Sequence, residues 1–167
     1  MNELNVAQLH ALLHYEPSTG VFTWKTRAGA NGKIPAGSVA GCSTEDYGYH
    51  QIRINKKLYQ AHRLAWFYVH GVWPSRHIDH KNGVTSDNSL DNLREVTPTQ
   101  NGQNQRRAHS RSTSGLLGAA WDKGRGLWRA AIQTDGHGKY LGHFTTPELA
   151  HAAYIKAKRE LHTGCTI

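Results

Sequence analysis

The 167-residue sequence predicts an α+β fold in two parts: a β-rich part that ends in a strand, loop, strand and helix, then a three-stranded antiparallel sheet packed on one helix. Three observations carry this. Short runs with period-two alternation, bounded by Asn, Asp, Gly and Pro, recur along the chain and read as strands. Two stretches, His62 to His70 and Leu149 to Leu161, place apolar residues at helical spacing instead. Between them, Gln105 to Gly115 is basic, Ser-rich and without apolar periodicity. The expected division is therefore a domain at 1–108, a basic linker at 109–115 and a second domain at 116–167.

Taken in order, residues 3 to 14 carry Val6, Leu9, Leu12 and Leu13 at helical spacing and predict a packing helix that ends near Tyr15-Glu16-Pro17. Ser18-Thr19-Gly20 is a turn, and Val21 to Lys25 alternates as a strand. Ala28 to Pro35 is a Gly-rich loop with two basic residues, open to reading as a DNA-backbone contact or as plain surface. Tyr47-Gly48-Tyr49 leads into a hairpin, His50 to Ile54 and Leu58 to Ala61 around a turn at Asn55-Lys56-Lys57. His62 to His70 is a helix closed by Gly71, with His62 and His70 read as core or capping histidines.

The informative stretch runs from His77 to Asn104. Arg76 to Asp79 reads as a strand that leaves Asp79 and His80 at its tip, where Lys81-Asn82-Gly83 turns the chain. Residues 84 to 92 are rich in Asn, Asp and Ser, whose side chains close loops on their own backbone. Leu93 to Val96 returns as a second strand. Thr97 and Pro98 start a helix as N-cap and first residue, continued by the polar run to Arg107. Asp79 and Asn101 supply hard oxygen ligands suited to Mg²⁺ or Mn²⁺, which keep several waters and fill their shell from phosphate. His80, on the other side of the strand tip, is a side chain that takes a proton near neutral pH. For Asn88 and Asn104 the readings are loop closure and helix surface. His77 reads as a structural or phosphate-facing residue, or as an outer partner of Asp79.

Eleven residues separate His80 from Asn92 and eight separate Asn92 from Asn101, with Asn-Leu-Arg and the capped helix between. This pattern resembles the HNH endonuclease motif, the ββα-metal finger, in the form found in phage and intron homing endonucleases; Tyr49 to Arg94 resembles the lead-in of phage members. The resemblance implies that Asp79 and Asn101 hold one divalent metal, that His80 is the general base activating water, and that Asn92 fixes the loop and orients the histidine. The last position is Asn where many relatives have His, which argues against tight Zn²⁺ binding.

Charge points the same way. A net charge of +8 calls for a polyanionic partner, and without an amphipathic basic helix nucleic acid fits better than a membrane surface. Residues 1–104 carry a net +2 and residues 105–167 a net +6. No run approaches the roughly 20 apolar residues of a membrane span, and no basic segment leads into an apolar one at the start. The expectation is a soluble, cytoplasmic protein that is not secreted. Cys42 and Cys165 stand far apart with no CxxC partner and read as reduced thiols.

In the C-terminal third, strands are expected around Gly118 to Trp121, Trp128 to Gln133 and Tyr140 to Phe144, with turns at Asp122 to Gly126 and Asp135 to Gly138. A helix follows, capped by Thr145 or Thr146, with Pro147 in its first turn and an apolar stripe of Leu149, Ala150, Ala153, Tyr154, Ala157 and Leu161. Trp121, Trp128 to Ile132, Leu141 to Phe144 and Ala150 to Tyr154 resemble the AP2 DNA-binding domain, although Leu116-Leu117 stands where that family has more Arg. Strand alternation turns Trp128, Ala130 and Ile132 toward the helix and leaves Arg129, Ala131, Gln133 and Tyr140 outward. The resemblance implies that this outer face enters the major groove, with Arg129 reading guanine and Gln133 adenine, while Lys123, Arg125 and Lys139 grip phosphates. Arg106, Arg107 and Arg111 are placed to hold phosphates from the linker.

The expected activity is hydrolysis of a phosphodiester in double-stranded DNA, with one Mg²⁺ or Mn²⁺ ion per site, no small-molecule cofactor and no membrane partner. The chain is expected to be a monomer, which would nick one strand, or a weak dimer. A rival class is a catalytically silent, sequence-specific regulator that binds DNA through the AP2-like sheet; a degradative enzyme of little sequence preference is a third.

Overall fold

The computed structural model describes residues 4–44, 48–134 and 136–166, so Glu3, Tyr47 and Asp135, each part of an expected element, lie outside the described residues. The chain divides into two compact units, one ending at Val96 and one beginning at Thr97. This differs from the expected division after residue 108: the helix that follows Val96 groups with the C-terminal half. Its tail is tied there by the Gly164 N–H on Gln103 Oε1 at 3.0 Å, by the Thr166 hydroxyl on Asn104 Oδ1, and by Arg106 Nη2 on Thr166.

In the first unit, α1 (Val6–Leu12) starts from an Asn5 capping box with Gln8. It ends earlier than helical spacing predicts, and Leu13–Glu16 is strand β1, paired antiparallel with β2 (Val21–Trp24). The alternation decides: Leu13 and Tyr15 are buried while His14 and Glu16 are exposed, which a strand achieves and a helix would not. The hairpin turns through Gly20, whose φ of 74° is left-handed. A second sheet has the order β3-β4-β5, with β3 (Cys42–Ser43), β4 (His50–Ile54) and β5 (Lys57–Gln60). Asn55 and Lys56 both have positive φ, the two-residue hairpin turn that matches strand twist.

Helix α2 (Ala61–His70) closes on left-handed Gly71 and buries Ala61, His62, Leu64, Ala65 and Phe67. Trp73 stacks on Phe67, ring centroids 4.2 Å apart, and Arg63 donates to the carbonyls of Pro74 and Arg76, so the chain leaves α2 on a fixed path. That path delivers β6 (His77–His80), paired antiparallel with β7 (Leu93–Val96). Ile78 and Leu93 join one core with Leu9, Leu13, Tyr15, Phe22, Ile52 and Leu64.

The second unit opens with α3 (Pro98–Gln103), capped by Thr97 in a box with Gln100. It stops short of the expected Arg107, since residues from Asn104 onward turn back to meet the C-terminal segment. A sheet of order β10-β9-β8 follows: β8 (Ala119–Asp122), β9 (Leu127–Thr134) and β10 (His137–Phe144). β10 starts at His137, so Gly138 lies in the strand rather than in the expected turn. Thr146 caps α4 (Pro147–Leu161), whose Ala150 packs with Ala119 and Ala130. Close packing is enforced at Gly118, where an added Cβ would lie 2.1 Å from the Tyr154 ring. Leu149 departs from the expected stripe and is exposed, because the helix faces the sheet through Ala150 and Ala153.

Candidate active site

The tip of β6 and the loop that follows gather Asp79, His80, Asn88 and Asn92, all buried polar residues. Buried polar groups are stable only when their hydrogen bonds are met, and the loop is built around that requirement. Asp87 accepts from the Ser89 hydroxyl at 2.7 Å and from Asn82 Nδ2 at 2.7 Å, and these bonds, the serine's first, hold its carboxyl below the usual range. Asn92 closes the loop from both ends: its Oδ1 accepts the Asn82 N–H at 2.9 Å and its Nδ2 donates to Asp87 O at 2.8 Å. Lys81 N–H donates to Asn92 O, so the entry and exit of the loop are tied directly.

His80 bonds to Asn88 rather than to Asn92. Its Nε2 lies 3.2 Å from Asn88 Oδ1. Its ring also faces His62, with centroids 5.2 Å apart and planes near perpendicular, and Tyr49 at 6.0 Å. Burial pushes the His80 imidazole below its ordinary value, an effect that Asn88, Asp79 and Asp87 oppose, so the ring is neutral at pH 7. His62 is pushed down to about 3 by burial and by its neighbours His80 and Arg63.

Asp79 stands opposite Arg94 in the β6–β7 register. Arg94 Nε and Nη2 both donate to Asp79 Oδ2, at 3.0 and 2.8 Å. A guanidinium therefore sits beside the carboxylate and neutralises it. His77 is exposed while Asp79 is buried, so the two do not share an environment. Asn101 lies on the exposed surface of α3 in the second unit.

Among the described residues no group of three or more His, Cys, Asp and Glu side chains gathers as a metal cage. Asp79 offers a carboxylate, a hard oxygen donor of the kind a water-retaining cation takes, and no sulfur-bearing side chain occurs from His77 to Asn104.

In the second unit, Arg129, Gln133 and Tyr140 are exposed, and the register places Arg129 across from His143 and Tyr140 across from Ala131 on the sheet face turned from α4. There Asp122 Oδ2 accepts from His143 Nε2 at 2.9 Å, which leaves Nδ1 to accept the Tyr140 hydroxyl. Lys139 pairs with Ile132 and so belongs to the opposite face. Lys123 and Arg125 are exposed in the β8–β9 turn, where Arg125 contacts Asp122 at 3.3 Å. Of the three linker arginines, Arg107 and Arg111 are exposed, whereas Arg106 donates through Nη2 to the carbonyl and hydroxyl of Thr166, at 3.0 and 2.8 Å. Asn104, expected on the helix surface, is buried against that same threonine.

Asn88 is the residue whose place the sequence hid. Its neighbours in an Asn- and Asp-rich loop are all capable of the same bonds, so composition alone does not say which side chain meets the histidine.

The HNH endonuclease family matches residues 59–103, from within β5 to the end of α3. The chain is 35% identical over 112 residues to Protein 3.8 of Escherichia phage T7, an alignment that covers 64% of this chain and 90% of that protein. No solved structure matches.

Proposed function

We propose that this chain, which belongs to the HNH endonuclease family, is a metal-dependent endonuclease that hydrolyses a phosphodiester in double-stranded DNA. The observation that carries this reading is His80: a buried histidine whose Nε2 meets Asn88 Oδ1, beside the Asp79 carboxylate at a strand tip, with burial holding its imidazole below the ordinary value. A base with those properties takes a proton from water without first losing one of its own. The remaining hydroxide oxygen bonds to phosphorus as the bond to the 3′ oxygen breaks, giving a 5′ phosphate and a 3′ hydroxyl. The leaving 3′ oxygen takes up a proton from solvent, and His80 gives its own proton back to solvent.

Asp79 would hold the Mg²⁺ or Mn²⁺ ion, whose chemistry is to neutralise the phosphate and stabilise the leaving oxygen. Arg94 orients Asp79 through two hydrogen bonds to one oxygen. Asn92 keeps the loop closed around the histidine. The outer face of the β8–β10 sheet, with Arg129, Gln133 and Tyr140, supplies DNA affinity in the manner of an AP2-like domain, assisted by Lys123, Arg125, Arg107 and Arg111; Lys139, on the opposite face, takes no part. With one such site per chain, a monomer nicks a single strand, as a homing enzyme of the nicking type does.

The test is conversion of supercoiled plasmid carrying the neighbouring DNA of the source genome, with Mg²⁺ or with EDTA. Nicking that requires Mg²⁺ and drops about 10²–10⁴-fold in His80→Ala is expected, the range general-base catalysis supplies. No cleavage by the native protein while DNA binding persists would move the assignment to a DNA-binding regulator, which the exposed face of the second unit would serve equally.

A further inference from the structure

Asn92 is the asparagine that the HNH pattern marks for orienting the histidine, yet both ends of its side chain are committed to the loop backbone. The side chain that meets His80 is Asn88. The orientation of the Asn88 amide is fixed by its other contact: Nδ2 faces the Ser86 carbonyl at 3.4 Å, and a flipped amide would set two carbonyl oxygens against each other. Oδ1 is therefore the atom at His80 Nε2, and since a carbonyl oxygen only accepts, Nε2 carries the hydrogen. The basic lone pair is then on Nδ1.

Asn88 is itself held from outside the loop. The Tyr15 hydroxyl donates to Asn88 O at 2.7 Å, from a ring stacked on Phe22 in the core. Leu90 N–H donates to Pro17 O at 2.9 Å. Gly20 lies against the same backbone, where a Cβ would come within 2.3 Å of the Asn88 carbonyl carbon, and its φ of 74° excludes a side chain independently. The N-terminal hairpin thus touches the site loop at three places around one residue, and none of those three contacts is needed to build the β6–β7 pair.

We propose that Asn88 is the positioning residue of the general base, setting the tautomer and orientation of His80, and that the β1–β2 hairpin is the brace that holds Asn88 in place. This rests on the nuclease reading for its role in catalysis, while the tautomer is a property of the protein alone. Water's proton goes to Nδ1 because Nε2 is occupied, and the imidazolium so formed keeps its Nε2–H on the amide oxygen. Part of the chain that precedes the family match at residues 59–103 is thereby drawn into the site.

The experiment pairs two readouts on the full chain. The first is the ring ¹⁵N spectrum of His80 in metal-free protein, assigned by its loss in His80→Gln; the second is kcat and KM for plasmid nicking. In the native protein the spectrum shows the Nε2–H form. Asn88→Ala is expected to mix the tautomers and lower kcat about 10- to 100-fold with KM for DNA within about 3-fold. Asn88→Asp, which keeps an acceptor, restores the Nε2–H form and most of kcat. Tyr15→Phe, which keeps the ring and removes only the brace, gives a smaller change in the same direction. Asn92→Ala lowers the unfolding midpoint and leaves the tautomer unchanged in the protein that remains folded.

An unchanged His80 spectrum and kcat in Asn88→Ala would overturn the proposal and reduce Asn88 to loop closure. If that variant does not fold, an unshifted spectrum and kcat in Tyr15→Phe together with a native-like tautomer lost in Asn88→Asp would overturn it equally. A native protein that shows the Nε2–H form and loses it in Asn88→Ala, but cleaves no DNA under any metal condition, would leave Asn88 as the partner that orients His80 and remove the nuclease reading instead.

Discussion

The loop between β6 and β7 and the outer face of the β8–β10 sheet are both polar, and they use their polar side chains in opposite ways. In the loop, Asp79, His80, Asn88 and Asn92 are buried and bonded to one another's surroundings, down to the backbone of the neighbouring hairpin. On the sheet, Arg129, Gln133 and Tyr140 are exposed on a flat β surface whose packing is finished on the other side by small alanines. A group that must accept a proton at one atom gains from being fixed, because misorientation costs rate directly. A group that must meet a polyanion gains from reach, because its contribution is electrostatic and screened by salt. The two regions should therefore respond to different perturbations, acid and salt respectively.

The largest separation is expected from pH. His62, beside His80, has a folded pKa of about 3, set first by burial. The unfolded chain takes that proton near 6.5, so the unfolded state binds it preferentially as the pH falls. Stability is complete above pH 6.5 and declines by about 1.4 kcal/mol for each unit between there and pH 3. Urea titrations at pH 6.5 and pH 4.5 should differ by about 2–3 kcal/mol more for the native protein than for His62→Gln. Equal slopes for the two would mean that the pocket around His80 admits water and that the loop is less closed than its hydrogen bonds imply.

Next comes the sheet. Arg129→Ala is expected to cost about 2 kcal/mol of affinity for target DNA, near the middle of the range for a base-reading arginine. It should leave the urea midpoint within about 0.5 kcal/mol of native, since an exposed side chain contributes little to folding. Anisotropy titrations against target and scrambled duplexes check both the size and the specificity of the loss. An equal loss on both duplexes would make Arg129 a phosphate contact.

How much of this was legible beforehand depends on whether a local signal decided the structure. The turn at Asn55 and Lys56, the left-handed stop at Gly71 and the Thr97 cap with Pro98 are written in residue types that only a few conformations accept, and each is found where those types predict. Leu13 and Tyr15 fit a helix and a strand equally well, and pairing with Trp24 and Phe22 decided between them. Such pairing is a tertiary fact. The same holds for Leu149, since nothing local says which edge of an alanine-rich stripe meets the sheet. At the site, Asp79 and His80 stood out by adjacency and spacing. Arg94 opposite Asp79 follows from a register that sequence leaves open, and Asn88 from a loop path braced by residues far earlier in the chain.

The smallest effect is the sharpest test of how the basic segment divides its labour. Arg106, Arg107 and Arg111 read alike in sequence, as three cations in a Ser-rich run. In the structure Arg106 is half-buried and donates to Thr166, so its charge belongs to the anchoring of the C-terminal segment, while Arg111 is exposed. Removing a phosphate-contacting cation lowers the slope of log K against log salt by about one, whatever the DNA sequence. Arg111→Ala should show that change with an unaltered unfolding midpoint. Arg106→Ala should show the reverse, a midpoint lowered by about 1–2 kcal/mol as a partly buried charge-assisted bond is lost, with the slope unchanged. If both variants shift the slope equally, the Thr166 contact yields to phosphate on binding and the linker acts as one basic strip. If neither does, the electrostatic grip lies on the sheet and its turns, and the acid-sensitive and salt-sensitive halves of the molecule divide at the sheet's edge rather than at Thr97.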